Sequence, residues 1–144
     1  MSRGLYTNAL AVIDRKLKRA PDDPTWLFGR GYICLQIHAY DDAVAAFTHV
    51  LAIRTNNVDA RYYRASACLD SGQLDAARAD YGQLQQTLTN SFRVAYGLGE
   101  IAWREHDTNE AIRNYKIYLA SANTNTAEAT NVIRRLRELE GRSP

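Results

Sequence analysis

The chain has 144 residues, of which 46% are hydrophobic and 24% charged, so it is long and apolar enough to form one domain with a buried core. Its formal net charge of +2 is too close to zero to indicate nucleic-acid or membrane binding by itself, and no run of about 18 apolar residues predicts a transmembrane helix. The N-terminal residues show no apolar run followed by a cleavage site, so no secretion signal is visible and a cytoplasmic location is expected.

Most of the sequence repeats with a fixed period, which is read from columns of equivalent residues. Two columns hold small residues, namely Gly31, Ala65, Gly99 and Ala43, Ala77, Ala111. Three columns hold large apolar or aromatic residues, namely Phe28, Tyr62, Tyr96, then Leu35, Leu69, Trp103, and then Phe47, Tyr81, Tyr115. A fixed period of about 34 residues indicates a repeat array. The column that begins with Phe47 follows the column that begins with Ala43 by four residues, which is one helical turn. Each copy is therefore predicted to be two helices that approach closely at the small residues.

Residues 6–23 are predicted to form only the second helix of a partial repeat. Ala9 and Ile13 occupy its small and large columns, and residues 4–6 have the pattern of an inter-helix turn. Because the first helix of this repeat is missing, one apolar side would be uncovered. The chain is therefore expected to be the C-terminal part of a longer array, or else to begin with an unusual natural cap.

Three complete repeats and a capping helix are predicted to follow, at residues 24–57, 58–91, 92–125 and 126–140. Asp23 is the expected N-cap of the first complete repeat, with Pro24 at the first helical position, and Asn57 is expected to cap the next first helix. Asp107 with Glu110 three positions later has the spacing of a capping box. These signals predict helix starts independently of the repeat period.

The last helix has the pattern of a cover for the array and not of a fourth repeat. Asn125 with Glu128 predicts its capped start, and Ile133 stands where a complete repeat has its small residue. One face carries Val132, Ile133, Leu136 and Leu139. The charged side, which we expect to face solvent, carries Arg134, Arg135, Arg137, Glu138 and Glu140.

The period, the columns and the helix–turn–helix unit resemble the tetratricopeptide repeat (TPR) family over nearly the whole chain. The sequence departs from the family pattern at Ala65, where glycine is usual, and has the common closing proline once, as Pro21, with Thr55, Thr89 and Asn123 in later copies. The resemblance implies an all-α fold, a right-handed α-α superhelix of about three and a half repeats plus the capping helix. It also implies a non-catalytic protein–protein interaction module that binds a peptide or partner segment in a concave groove lined by first helices.

Carried over by position, the resemblance predicts a partner-binding groove lined by Phe28, Tyr32, Leu35, Tyr62, Leu69, Arg93, Tyr96, Trp103 and Arg104. Tyrosine and tryptophan offer large contact areas with a polar handle and are common binding hot spots. The alternative is that apolar members pack between adjacent first helices, and it stays open for Leu35 and Leu69. TPR proteins that bind chaperone C-termini use a lysine and an asparagine where this chain has Phe28 and Tyr32, so that partner class is not predicted.

Two charged columns of the groove allow two interpretations. Asp59 lies one repeat before Arg93, and Asp70 lies one repeat before Arg104. In the first interpretation, each aspartate pairs with its arginine between neighbouring first helices, a contact worth at most about 1 kcal/mol when exposed. In the second, the two arginines bind an acidic group of a partner.

No catalytic, metal-binding or cofactor motif is present, so no enzyme activity, metal or cofactor is predicted. His38, His49 and His106 have no cysteine or carboxylate arranged as a triad or metal site, and there is no glycine-rich phosphate loop. Cys34 and Cys68 stand one repeat apart at equivalent inward positions, and we expect buried free thiols.

Two other functions remain as alternatives to peptide binding. The basic runs at residues 15–19 and 134–137 would suit an RNA-binding helical repeat, but the balanced charge and acidic middle repeat argue against a phosphate track. Self-association through residues 6–20 is the second alternative, and would make the chain a structural scaffold. Its expected contact residues are Leu10, Val12, Ile13 and Leu17.

Overall fold

The computed structural model describes residues 3–142, and across that range eight α-helices follow one another without a strand. Helices α1–α8 span Arg3–Arg19, Pro24–Gln36, Tyr40–Ile53, Val58–Asp70, Leu74–Thr87, Phe92–Arg104, Thr108–Ser121 and Ala127–Arg142. The chain forms two compact units, Met1–Asp80 and Tyr81–Pro144, which are described separately below as unit 1 and unit 2.

The predicted capping residues start their helices as expected. The Asp23 carboxylate accepts hydrogen bonds of 2.9 and 3.4 Å from two backbone N–H groups in the first turn of α2, where Pro24 is the first residue. Asn57 and Asp107 each accept one such bond, of 2.9 and 3.0 Å, at the starts of α4 and α7. Three predicted helix starts are therefore confirmed, since each side chain satisfies N–H groups that have no partner within the helix.

The residue predicted to cap the last helix, Asn125, is wrong by one position. Thr126, not Asn125, caps α8, because its Oγ1 accepts a 3.0 Å hydrogen bond from the backbone N–H of Ala129. Glu128 does not complete a capping box and instead accepts a 2.8 Å bond from the hydroxyl of Tyr118. The shift by one position lets the helix begin at Ala127 with a cap of the usual chemistry.

The turns inside the three complete repeats share one backbone conformation, a residue with positive φ. His38, Gly72 and His106, which stand one repeat apart from each other, have φ values of 63°, 82° and 61°. The backbone N–H of the next residue donates to the carbonyl oxygen five positions earlier, over 2.8 to 2.9 Å in each case. This left-handed helix end satisfies the last carbonyls of each first helix. Two of the three histidines thus have a structural position in turns.

The predicted turn at residues 4–6 is wrong, since these residues lie within α1. Gly4 is the equivalent of His38 and Gly72, which reverse the chain because a preceding helix supplies carbonyl acceptors. In this structure Gly4 instead has helical geometry in the first turn of α1, and no left-handed turn forms there.

Close helix approach at small residues is confirmed in both units. A Cβ atom added to Gly31 would lie 2.9 Å from Phe47 Cζ in unit 1, and one added to Gly99 would lie 2.8 Å from the Tyr115 ring in unit 2. These distances are shorter than any van der Waals contact, so each ring occupies the space that the missing side chain leaves. The small and aromatic columns therefore pack against each other as the sequence predicted.

The cores of the two units are built from the inward faces of their helices. In unit 1 the buried cluster includes Leu27, Cys34, Phe47 and Val50. In unit 2 it includes Tyr115, Tyr118, Val132 and Leu139. Both cysteines are buried free thiols, as expected, and burial raises the pKa of each thiol, which keeps it in the unreactive protonated form.

The predicted self-association face of α1 is largely used within unit 1. Ile13 is buried, and Leu10 and Leu17 pack half-buried against the unit 1 core. Of the four expected contact residues only Val12 is exposed. The reason is helical geometry, because Leu10, Ile13 and Leu17 lie on the side of α1 that packs against α2.

Candidate functional site

Five aromatic rings of unit 1 form one cluster on α2, α3 and α4, and Tyr63 lies at its centre. The Tyr63 ring packs against Phe28, Phe47, Tyr32 and Tyr62, with centroid separations of 5.8, 5.8, 5.5 and 5.3 Å. Three of these contacts are edge-to-face, which is the arrangement that aromatic quadrupoles favour. The cluster fixes the positions of three predicted groove residues, Phe28, Tyr32 and Tyr62.

The predicted lining residues of unit 1 differ in exposure. Phe28 and Tyr62 are half-buried, whereas 42% of Tyr32 is exposed to solvent. Leu35 is half-buried and packs against the unit 1 core. Leu69 is only 4% exposed, so it offers almost no surface to a partner, and its place in the groove stays a prediction.

Tyr63 was not among the predicted site residues, although the repeat period contains a signal for it. The equivalent residues in the other complete repeats are Gly29 and Gly97. A Cβ at Gly29 would contact Ile13 at 3.4 Å, and one at Gly97 would lie 2.3 Å from Tyr81 Cζ. This column therefore faces the second helix of the preceding repeat, and Tyr63 meets Phe47 there in a stacked pair.

A cavity of about 270 Å³ opens beside Phe28 at the N-terminal ends of α2 and α4. It is lined by Pro24, Thr25, Phe28, Arg54, Asn57 and Asp59. Arg54 and Asp59 are both exposed at this cavity. The cavity therefore combines an aromatic wall with one charge of each sign, all within unit 1.

In unit 2 the predicted lining residues lie along α6. Tyr96 is half-buried with its ring centroid 5.6 Å from that of Tyr118, and Arg93 is exposed with its guanidinium 5.9 Å from the Phe92 ring. Arg104 is exposed at the end of the helix. Whether Arg93 and Arg104 pair with Asp59 and Asp70 stays a prediction.

The indole of Trp103 contacts a charged residue of α8. The guanidinium of Arg135 lies 5.0 Å from the indole centroid and also bonds to the buried carboxylate of Glu100. Glu100 in turn accepts a 2.8 Å hydrogen bond from the Tyr115 hydroxyl. The prediction that Arg135 faces solvent is therefore wrong. The reason is that Glu100, which is 6% exposed, requires a cation within the interior of unit 2.

These contacts shift two pKa values in unit 2. Burial raises the pKa of Tyr115 far above its usual range, and the negative charge of Glu100 adds to the effect. Burial alone would lower the pKa of Arg135, but the hydrogen bonds to Glu100 and Tyr115 outweigh it and raise that pKa. Both groups are thus held in one protonation state, which suits a structural contact between α6, α7 and α8.

Residues 3–142 contain neither a metal-binding cluster nor a membrane-spanning helix. No three side chains among the histidines, cysteines and carboxylates of this range are grouped so as to hold a metal ion. Likewise, none of the described helices has the length and apolarity needed to cross a membrane.

Comparisons with known proteins agree with the repeat pattern. Two tetratricopeptide repeat family models match, one over residues 1–58 and the other over residues 35–98. No curated protein matches the sequence.

Similar solved structures include a MamA protein, with a TM-score of 0.82 and 20% identity over 96% of this chain and 75% of that one. MamA from Desulfovibrio magneticus RS-1 has a TM-score of 0.77 and 18% identity over 96% of this chain and 86% of that one. The Arabidopsis OM64 TPR domain has a TM-score of 0.71 and 16% identity over 80% of this chain and 94% of that domain.

At these identities the structural likeness shows the fold, and the predicted fold class, an all-α TPR solenoid, is confirmed. The repeat columns, the left-handed turns and the two family models all lead to the same assignment. The chain belongs to the tetratricopeptide repeat family.

Proposed function

We propose that this chain is a non-catalytic protein–protein interaction module, and that a partner peptide binds the surface formed by Phe28, Tyr32 and Tyr62, here called the Tyr32 surface. The observation that carries the proposal is the environment of Tyr32. This ring is 42% exposed, yet it is held in edge-to-face contact with Tyr63 at 5.5 Å. An exposed aromatic ring that is already ordered suits a binding anchor.

Preorganisation makes such a ring effective in binding. Ordering one flexible side chain at an interface costs about 0.5–1.5 kcal/mol of binding free energy. For Tyr32 this cost is reduced, because its ring is already held against Tyr63 before a partner binds. Tyr63 is itself fixed by Phe28 and Phe47. A partner side chain therefore meets a rigid aromatic surface and not a mobile one.

The cavity beside Phe28 extends the Tyr32 surface and suggests what the partner segment contains. An apolar or aromatic partner side chain fits against Phe28 in a space of about 270 Å³. Arg54 and Asp59 stand at the same cavity and would orient the peptide backbone or a charged side chain. In this proposal the family's mode of binding, on first helices, is used at α2 and α4.

A displayed peptide library tests the proposal. Peptides selected on the wild-type chain should bind Tyr32→Ala at least tenfold more weakly, a loss of about 1.4 kcal/mol. Tyr32→Phe should retain binding, because the ring supplies the contact. Ile53→Ala is the matched control, since Ile53 is exposed to a similar extent, 43%, on α3. Equal binding of the selected peptides to wild type and Tyr32→Ala would show that the Tyr32 surface is not the site.

A further inference from the structure

One exposed stripe of α1 combines apolar and basic side chains. It consists of Leu5, Val12, Lys16 and Arg19, and is called the α1 stripe below. The spacings of seven, four and three positions place all four on one side of the helix. Leu5 and Val12 are 56% and 43% exposed, which is unusual for large apolar residues in this chain. The apolar half lies towards the start of α1 and the basic half towards its end.

Two of these four positions, those of Val12 and Lys16, are buried in every complete repeat, whereas the positions of Leu5 and Arg19 are not. The equivalents of Val12 are Ala46, Asp80 and Asn114, and those of Lys16 are Val50, Leu84 and Tyr118, all of which are buried. In unit 2, Tyr118 packs against the rings of Phe92 and Tyr96, which belong to the first helix of its own repeat. The middle of the α1 stripe, at Val12 and Lys16, therefore belongs to the face on which repeats of this chain receive a helix, and Leu5 and Arg19 extend it at either end.

The basic half of the stripe has no carboxylate opposite it. Asp14 is the only acidic residue of α1, and it bonds to Arg30 of α2 at 3.2 Å. Lys16 lies 5.6 Å from the Trp26 ring centroid, and among residues 3–141 neither Lys16 nor Arg19 forms an ion pair. A shallow cavity of about 240 Å³ runs beside these side chains, lined by Val12, Arg15, Lys16 and Arg19.

A second copy of α1 does not suit this surface. A parallel copy would place Lys16 and Arg19 against the same cations, and an antiparallel copy would place them against Leu5 and Val12. Neither arrangement supplies a carboxylate, and like charges in contact oppose association. A lipid surface would gain burial from only two exposed apolar side chains, Leu5 and Val12.

We propose that the α1 stripe is a docking site for an acidic amphipathic helix of a partner protein. The partner's apolar side chains pack on Leu5 and Val12, and its carboxylates pair with Lys16 and Arg19. The docked helix covers Val12 and Lys16, the positions that are buried in the complete repeats, and reaches Leu5 and Arg19 beyond them. This site is separate from the Tyr32 surface, so either proposal can fail without the other.

Two designed helical peptides of about 15 residues provide the test, since peptides of this length can be made helical in water. Both have leucines along one end of the contact face, and the other end carries glutamates in one peptide and lysines in the second. Binding is followed by titration calorimetry and by Trp26 emission, because Lys16 lies next to that indole. Circular dichroism confirms that each variant is folded.

The acidic peptide should bind the wild-type chain and the basic peptide should not. Lys16→Glu/Arg19→Glu should weaken the acidic peptide at least tenfold and create binding of the basic one. Arg113→Glu, an exposed arginine on α7, is the matched control and should change neither affinity.

Failure of the acidic peptide to bind, or an affinity unaffected by the charge reversal, would overturn the proposal. So would binding of phosphatidylserine vesicles without peptide binding, which would assign the stripe to lipid. Sedimentation showing a dimer that Val12→Asp dissociates would assign it to a second copy.

Discussion

The hydroxyl of Tyr115 donates a 2.8 Å hydrogen bond to the carboxylate of Glu100, and both groups are buried in unit 2. Arg135 of α8 bonds to the same carboxylate and covers the indole of Trp103. A helix that looks from its sequence like a solvating cap is therefore tied to the interior by one cation. The packing of α8 therefore stabilises the buried charge of Glu100, and that charge in turn holds α8 in place through Arg135.

Removing Arg135 should destabilise the chain more than removing its neighbour. Arg135→Ala leaves the Glu100 carboxylate buried without a cation, and we expect a loss of about 3 kcal/mol in the free energy of unfolding. Arg134→Ala removes only an exposed pair with Glu138 and should cost less than about 0.5 kcal/mol. Urea denaturation measures both. Adding Glu100→Gln to Arg135→Ala should recover part of the loss, and no recovery would contradict the role of the buried charge.

The raised pKa of Tyr115 predicts a loss of stability at alkaline pH. Burial and the Glu100 charge keep the phenol protonated in the folded state, whereas an unfolded tyrosine ionises near pH 10. The stabilisation is thus complete below about pH 10 and falls as pH rises above it, by up to about 1.4 kcal/mol per pH unit. Tyr115→Phe should be less stable at neutral pH but show a shallower alkaline decline. Identical slopes for the two proteins would rule out this contribution.

Two glycines of unit 2 should respond oppositely to alanine. A Cβ at Gly97 would lie 2.3 Å from Tyr81 Cζ, so Gly97→Ala must displace a buried ring and should cost about 1–3 kcal/mol. Nothing lies within 4 Å of a Cβ at Gly82, which is inside α5. Gly82→Ala should therefore stabilise the helix by about 0.5–1 kcal/mol. Thermal denaturation compares the two, and equal shifts would contradict the close approach at Gly97.

A buried carboxylate is tolerated at one repeat position only where arginines meet it. Asp80 is 5% exposed and accepts two bonds of 2.7 Å from Arg64 and a longer one from Arg61. Its equivalent in the next repeat is Asn114, which is 2% exposed and has an Oδ1 atom without a hydrogen-bond partner among the described residues. The residues equivalent to Arg64 and Arg61 in that repeat are Leu98 and Ala95, which carry no charge.

Asn114→Asp should consequently cost about 3 kcal/mol at pH 7, because it buries an uncompensated charge. The new carboxyl would have a raised pKa in the folded state, so its penalty should shrink as pH falls towards 4, where the neutral form prevails. Asn131→Asp, at an exposed position of α8, is the control and should have little effect at either pH. Chemical denaturation at both pH values measures the difference, and a penalty independent of pH would argue against charge burial.

Much of the fold follows from local sequence signals. The columns at Gly31 and Phe47 predicted a close helix approach, because a large ring packs into the space that a glycine leaves without a side chain. Asp23 and Asn57 predicted helix starts because an N-cap acts within its own first turn. The prediction at Asn125 failed because the neighbouring Thr126 has the same capping chemistry one position later, and the local pattern does not choose between the two. The turn expected at residues 4–6 is helix instead.

The candidate site was predicted less completely than the fold. Phe28, Tyr32 and Tyr62 were identified from their columns, but Tyr63, which holds them together, was not. A residue at that position contacts the preceding repeat, so its role depends on the ring supplied there. For Leu69 both a groove position and packing between helices were left open, because an apolar residue at that column fits either, and its 4% exposure leaves little surface for a partner.

By itself, the sequence determined the repeat unit, the helices, their turns and the family, because these depend on spacings and caps within a single repeat length. Only the tertiary structure decided which long side chains turn inward and which remain in water. Arg135 is drawn inside by the buried charge of Glu100, whereas Lys16, at a position buried in every complete repeat, stays exposed. The physical reason is that burial of a charged or aromatic side chain is settled by the group across the interface, and that group lies elsewhere in the chain.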